Sequence, residues 1–385
     1  MFSFLTGSDY LLMQQQHPLR QMRIALVTNQ AALTSEGVPV RYALQQCGYR
    51  LVHLFSPEHG LQATGADGEQ QPDTVDPLTG LPVTSLYGAR LAPEAAQLQE
   101  LDAVLFDMPD VGCRFYTYLW TLTHVMEACA AAGVRLVVTD RPNPTGLDLR
   151  QAEGPWLDER SCSSFIGRWN ISVRHCCTLG ELARYFAATR MPHLQLEVLP
   201  VMNYTRSTVF PARAFVPTSP AIQEHEAAQL YPGTGLLEGV NLNEGRGTSF
   251  AFRVAGAPWI QAAAVLQQLR QVDLPGISAE QVQYRAVTPP YEGQDCHGIR
   301  LRVTDAASCR PVQTGLTLLQ AIHQSHPGQL QPRLYPSVAN PEGTHHLDRL
   351  TGVFNSFAYI VSGEELSTRV NPLWGQMMQP YLLYH

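Results

Sequence analysis

A chain of 385 residues that is 45% apolar and 15% charged has room for about two or three cores and is not a disordered protein. A net charge of -7 argues against a nucleic-acid partner, whose binding rests on a basic footprint, and no apolar run approaches the ~18 residues of a membrane span. All 26 basic residues are arginines, so a P-loop lysine, a Schiff base and a lysine general base are excluded, and any anion falls to the forked guanidinium of Arg.

The opening Met1–Asp9 has no basic n-region and carries an early acid, so no secretory signal is expected. Met22–Asn29 reads as a strand, Val40–Cys47 as part of a helix, and Leu51–Phe55 as a second strand. Leu81–Leu86 is a short third strand. A helical stretch around Ala92–Glu100 leads into the strand Leu101–Phe106. Tyr116–Ala132 reads as a long helix ending at Gly133, where a C-cap is expected, and Val134–Thr139 as the next strand. Glu181–Ala188 is helical and Leu194–Val201 extended. The strands are apolar throughout rather than alternating, as strands buried on both faces are. Their alternation with helices predicts βαβ units and an α/β, mainly parallel, doubly wound sheet.

From about Gln229 the rhythm changes at the turn cluster Tyr231–Gly235. A helix over Trp259–Val272, a strand over Ile299–Thr304 and a helix over Thr314–His323 predict a smaller α+β domain. The expected division is 1–228 for a catalytic domain and 229–385 for a C-terminal domain completing the cleft. The eight Cys include no C-x-x-C pair, and adjacent Cys176 and Cys177 are poorly placed for an ordinary disulfide. Reduced, mostly buried thiols and a cytoplasmic location are expected.

In open α/β sheets ligands bind beyond the carboxyl ends of the strands. Those ends carry Asn29-Gln30, Glu58-His59, Asp107 through Asp110 with Arg114, and Asp140-Arg141-Pro142-Asn143. A lone Asp after a strand is ordinarily a cap or turn former. A set of such ends on one edge makes a cleft of carboxylates and arginines, in which one carboxyl serves as acid and another as base or nucleophile. The first βα turn, Thr28–Ala32, has no G-x-G-x-x-G, which argues against a dinucleotide. No H-x-H or H-E-x-x-H spacing supports a metal at His59, Asp107, Asp110 and Asp140, and neither metal nor other cofactor is expected. His345-His346-Leu347-Asp348 reads as a polar loop or the start of a helix, and Cys113, Cys176 and Cys177 as packing residues. Glu238–Thr248 places glycines around Arg246, so that backbone can approach a ligand while the guanidinium reaches it; a plain connecting loop is the alternative. Tyr116, Tyr118, Trp120 and Trp259 could platform a sugar face or simply fill core.

Six segments in order, FSPEHG (55–60), TGLPVTSLYG (79–88), DVGCRFYTY (110–118), DRPNP (140–144), EGP (153–155) and EGVNLNEGRGT (238–248), resemble the exo-β-N-acetylmuramidase family, long catalogued as a domain of unknown function. GAPW (256–259) and the 347–352 stretch extend the likeness over nearly the whole chain. The resemblance implies a glycoside hydrolase releasing N-acetylmuramic acid from non-reducing ends of peptidoglycan fragments. It also implies a Rossmann-like domain and a smaller C-terminal domain with the cleft between them, and a lactyl carboxylate for which Arg114, Arg141 and Arg246 are candidates. The chain departs from the family pattern at Gln62, where Arg is usual, at His175–Glu181, and at Ala221 in place of Asn.

The expected catalytic set is Glu58 as general acid assisted by His59, with Glu153, Asp107, Asp110 and Asp140 open as the second carboxylate. Asn29, Asp107, Arg114, Tyr116, Arg141, Asn143, Glu238, Asn241 and Arg246 are the expected substrate contacts. The substrate's own 2-acetamido group could also replace a protein nucleophile. The partner expected is a peptidoglycan-derived saccharide or muropeptide. Two rivals remain, a metal-assisted amidase or esterase in the same cleft and a muropeptide sensor with a disabled site.

Overall fold

The computed structural model describes residues 4–338, 340–364, 366 and 373–385; Met1–Ser3 of the opening segment lie outside the described residues. The apolar runs form β1 (Ile24–Val27), β2 (Leu51–Ser56), β3 (Thr74–Val75), β4 (Pro82–Ser85), β5 (Ala103–Phe106), β6 (Arg135–Thr139) and β7 (Leu196–Leu199). They make one sheet in the order β3-β4-β2-β1-β5-β6-β7. Every pairing in it is parallel except that of short β3 with β4. All four residues of β1, and all four of β5, are buried, which is why their sequences do not alternate. The strand order reverses between β2-β1 and β5-β6, so the carboxyl ends of β1 and β5 flank the switch point of the doubly wound sheet.

Helix Tyr118–Ala132 shows how the sequence writes a core helix. Its first half is buried almost all round, and it stops at Gly133, whose φ of 69° suits a residue without Cβ. It starts at Tyr118 rather than Tyr116, because Phe115 and Tyr116 belong to the loop that lines a cleft. Fully buried Trp120 donates its indole N–H to the Arg114 carbonyl at 2.7 Å, so this polar tip is satisfied inside the core.

The second sheet is antiparallel, β8 (Val254–Ala257), β10 (Asp295–Val303) and β9 (Ile277–Arg285) in that order. Strand β10 extends the expected 299–304 run toward the N-terminus. Strand β9 is unmarked in the sequence because most of its residues are at least partly exposed, and its ISAEQVQYR lacks an apolar run. Helix Gly7–Met13 was also unmarked, although Thr6 and Asp9 form a reciprocal capping box at its start. Helices His225–Thr234 and Pro311–Ser325 meet at Gly233 and Gly315, where a Cβ on Gly233 would stand 1.9 Å from the Pro311 carbonyl oxygen. One apolar cluster runs from Trp120 and Val138 through Leu237 to Ile299 and Leu318, so both sheets share a core and the wall between them is rigid.

Candidate active site

Strand β2 ends at Ser56 and the chain reverses at once, with His59 and Gly60 both in left-handed backbone at φ 68° and 73°. Gly takes that conformation freely and His does not. The histidine is held there by its ring Nδ1, 2.9 Å from the Gly65 carbonyl oxygen, and by the Gly65 N–H donating to its own carbonyl at 3.0 Å. The turn drives Glu58 inward, where it is 5% exposed. Thr117 Oγ1 donates to Glu58 Oε2 at 2.8 Å and the Gly68 N–H donates to Oε1 at 3.0 Å. Burial first, and the charge of Asp67 second, push its pKa up, so it gives up its proton less readily than an exposed Glu.

Asp67 arrives from the loop after the turn, with its side chain 31% exposed. Tyr335 donates its hydroxyl to Oδ2 at 2.5 Å, and the Arg246 guanidinium lies 3.6 Å from Oδ1. Burial alone would raise its pKa, but Arg246, with His59 and Tyr335, outweighs burial and holds it below the usual carboxylate range. One atom each of Glu58, His59 and Asp67 lie within 4.8 Å of one another. Two carboxyls side by side are thus driven apart in acidity, one held up and the other held down, which is the separation acid–base chemistry needs.

The facing wall comes from the glycine-rich segment. Arg246 bonds Glu238 through Nη2 and Glu244 through Nε, the latter at 3.0 Å, and its guanidinium sits 5.0 Å over the Phe252 ring. Burial opposes its charge, but Asp67, Glu238 and Glu244 outweigh burial and keep it charged. Gly239 lets the chain pass close beneath helix His346–Thr351: a Cβ there would stand 2.6 Å from Leu347 Cα. That approach brings His346 Nε2 to 3.7 Å from Glu238 and stacks its ring on Tyr335 at 4.3 Å.

These groups, with the side chains of Tyr87, Phe115, Phe165, Ile166 and Leu350, line a cleft of about 640 Å³, its open mouth included. It leads into an outer chamber of about 990 Å³, the two sharing His59, Asp67, Ala221, Arg246 and Tyr335 in their walls. Apolar and aromatic walls around a pair of carboxyls suit a sugar unit whose scissile bond lies at that pair.

Of the residues the sequence singled out, the structure brings Glu58, His59, Tyr116, Glu238 and Arg246 to this cleft. The others do not reach it. Asp107 is held by Arg141, whose Nη2 is 3.1 Å away, and by Ser8 Oγ at 2.5 Å. Asp140 accepts from Thr178 and Tyr384 at 2.6 Å each and from the Gly180 N–H at 2.9 Å. Glu153 accepts from the Val312 N–H at 3.2 Å, beneath the start of helix Pro311–Ser325. Burial raises the pKa of Asp140 to about 6 and that of Glu153 to about 7. Arg114 is fully buried and donates to the carbonyls of Pro155, Ile171 and Leu350 at 2.7–2.9 Å. Asn29 pins the Tyr118 hydroxyl, Asn143 the Cys177 carbonyl and Asn241 the 329–331 turn. Asp110 and Arg141 line a separate cavity of about 830 Å³ at the β1/β5 switch point, among Leu33, Pro142 and Phe215. Tyr118 and Trp120 lie in the core, and Trp259 bonds the Tyr291 hydroxyl at 2.8 Å. Cys113, Cys176 and Cys177 are buried and unpaired, as packing residues should be.

Sequence reasoning missed Asp67, Thr117, Tyr335 and the placement of His346. Asp67 lies in a polar, turn-like loop, and its only signal was its closeness to Glu58 in the chain. His346 does open a helix as expected, but it also faces the cleft. Among the described residues, Glu58, His59 and Asp67 form the group whose spacing could hold a metal ion.

A doubly wound α/β domain and a smaller antiparallel unit that together enclose two carboxyls of opposed acidity define a two-part, glycosidase-like protein. The chain belongs to the exo-β-N-acetylmuramidase NamZ family: the family's N-terminal model matches residues 24–226 and its C-terminal model 229–384. It is 37% identical over 325 residues to peptidoglycan β-N-acetylmuramidase NamZ of Bacillus subtilis (strain 168), covering 84% of this chain and 78% of that one. Crystal structures of two DUF1343 family proteins from Bacteroides fragilis NCTC 9343 share the fold. One superposes with a TM-score of 0.86 at 24% identity and full coverage of both chains, the other with 0.74 at 26% identity and 99% coverage of both.

Proposed function

We propose that this chain is an exo-acting glycosidase that releases N-acetylmuramic acid from the non-reducing ends of peptidoglycan fragments, with Glu58 as general acid and Asp67 as the second carboxylate. The observation that carries the reading is the Glu58–Asp67 pair in an aromatic-walled cleft, in a chain of this family. Glu58 gives its proton to the glycosidic oxygen as the C1–O bond breaks. Asp67 either attacks C1 or orients the substrate's 2-acetamido oxygen for that attack; Glu58, now a carboxylate, then takes a proton from the water that completes hydrolysis. Inverting enzymes keep their carboxyls about 6.5–9.5 Å apart to admit a water. A pair within 4.8 Å leaves no such room, which supports retention of configuration.

His59, fixed through Nδ1, has a ring nitrogen within 4.8 Å of both carboxyls and helps to position them. Residues 1–228 supply the acid and 229–385 the wall with Arg246. The eight unpaired cysteines support a reducing, cytoplasmic setting. Among the described residues no helix is long and apolar enough to cross a membrane. The net charge of -7 speaks against nucleic acid as a partner.

The test is release of 4-nitrophenol from its β-N-acetylmuramide by wild type and Glu58→Gln, with and without chelator, the product anomer being read by NMR. Release as the β-anomer, lost in the variant and indifferent to chelator, is expected. Loss in chelator would favour the rival reading in which Glu58, His59 and Asp67 hold a metal for amide or ester hydrolysis.

A further inference from the structure

The proposed substrate is an acid, and the cleft is built of acids. Glu58, Asp67 and Glu238 line the inner chamber and Glu244 the outer one. Arg246 does not offset them for a ligand, because it is already engaged by Asp67, Glu238 and Glu244. Arg114 and Arg141, the other arginines that the sequence offered for a lactyl carboxylate, are bonded elsewhere and do not line either chamber. In a chain without lysine the fixed positive charge to meet an acidic ligand must be another guanidinium.

Arg333 supplies it. It lines the outer chamber, and its guanidinium lies 5.2 Å over the ring of Tyr335, the residue that donates to Asp67. Its side chain is half-buried, Nη1 has no hydrogen-bond partner, and no carboxylate pairs with it among the described residues. A guanidinium in a cavity wall that no carboxylate of the protein engages is free to meet a carboxylate from the chamber. Its own backbone N–H donates to the Gly239 carbonyl at 3.0 Å, which fixes it to the segment carrying Glu238. The Tyr335 ring beneath it restrains the guanidinium before any ligand arrives, so less freedom is lost when a carboxylate docks on the fork.

We infer that Arg333 is the carboxylate-binding group of the outer chamber and sets the preference of the site for acidic over neutral saccharides. This inference rests on the functional reading above, and the carboxylate has two possible sources: the lactyl group of the sugar being released, or one on the saccharide beyond the scissile bond.

The experiment measures binding, so that it does not depend on turnover. Glu58→Gln, alone and combined with Arg333→Gln or Arg333→Lys, is titrated calorimetrically with three saccharides. These are N,N′-diacetylchitobiose, which has no carboxylate, the disaccharide MurNAc-GlcNAc, and the trisaccharide MurNAc-GlcNAc-MurNAc. Removing a charge-assisted bond of this kind weakens binding about 10- to 100-fold. Arg333→Gln is expected to impose that loss on the acidic saccharides and leave chitobiose unchanged, with Arg333→Lys restoring part of it. An equal loss on both acidic saccharides assigns the released sugar's lactyl group; a loss on the trisaccharide alone assigns a carboxylate downstream. Equal effects on all three, or none on any, would overturn the inference. Failure of the wild-type protein to hydrolyse a muramide would instead count against the functional reading.

Discussion

Two stretches of the same sheet edge carry the same residue types and do opposite things. At the end of β2, Glu58 and Asp67 stand before an open cleft with their acidities pushed apart. At the ends of β5 and β6, Asp107 and Asp140 are closed over by Arg141, Ser8, Thr178 and Tyr384, and every contact they make is internal. The second stretch fastens the sheet to the helix at Gly7–Met13, to the helix beginning at Leu179 and to the C-terminal segment. A carboxylate at a strand end is therefore a place where chemistry can sit, and the loops that cover it decide whether it does.

The largest effect expected from breaking this contrast is at Glu58. Glu58→Gln keeps an acceptor oxygen for the Gly68 N–H and an amide N–H that the Thr117 hydroxyl can turn to accept, but it has no acidic proton to give. Its kcat/KM on an aryl β-N-acetylmuramide should fall about 10²- to 10⁴-fold with little change in the thermal midpoint. A matching collapse of the midpoint would mean that Glu58 is as structural as Asp140.

Asp67→Asn should cost about 10²-fold in kcat/KM and also move the pH profile. The negative charge of Asp67 helps raise the pKa of Glu58, and the acid must be protonated to act. Removing that charge lowers the Glu58 pKa, so the alkaline limb of kcat/KM against pH should shift to lower pH. An unmoved limb would separate the two carboxyls and break the pairing.

Asp107→Ala is the reverse case. It leaves Arg141 without its carboxylate and Ser8 without an acceptor, and removing one partner of such a buried pair costs about 3–5 kcal/mol. Chemical denaturation should show that loss, whereas activity per folded molecule should stay within a factor of about two, since no part of Asp107 reaches the cleft.

The sequence made the parallel sheet legible because each strand is apolar on both faces, and it pointed to Glu58 because Pro57, His59 and Gly60 mark a forced turn. It could not separate Glu58 from Asp107 or Asp140. That difference lies in Ser8, Thr178 and Tyr384, which come from distant parts of the chain and carry no local pattern. Asp67 and Tyr335 were hidden for the same reason, being a turn-like Asp and a loop Tyr that meet across 268 positions. Strand β9 was illegible because an exposed strand has no apolar run to show.

Asp110 lies between the two cases and gives the subtlest prediction. Its Oδ2 accepts the Gly112 N–H at 2.8 Å while Oδ1 has no partner. The group facing it is His175, whose Nε2 is 3.7 Å from Oδ2. Burial pushes that imidazole down to about 3, and its Nδ1 accepts the Cys177 N–H, so it is neutral and offers Asp110 no cation. Arg141 shares the cavity wall but is bonded to Asp107 and the Leu33 carbonyl. Burial accordingly raises Asp110 to about 7. From the unfolded value of about 3.9 up to that point, the native state holds a proton that the unfolded state has released, so stability falls as pH rises through this window. The loss is complete above it and is bounded at roughly 4 kcal/mol by a shift of about three units. Asp110→Asn removes the titration. It should be close to neutral near pH 4 and stabilising at pH 8, with the difference between variant and wild type opening between those values. The difference must be taken against wild type, because Glu153 and Asp140 are raised in the same direction and tilt both curves alike. A variant equally or less stable at pH 8 would mean that Asp110 meets a cation or a polar ligand in its cavity, and would move it from the closed side of the sheet edge to the open one.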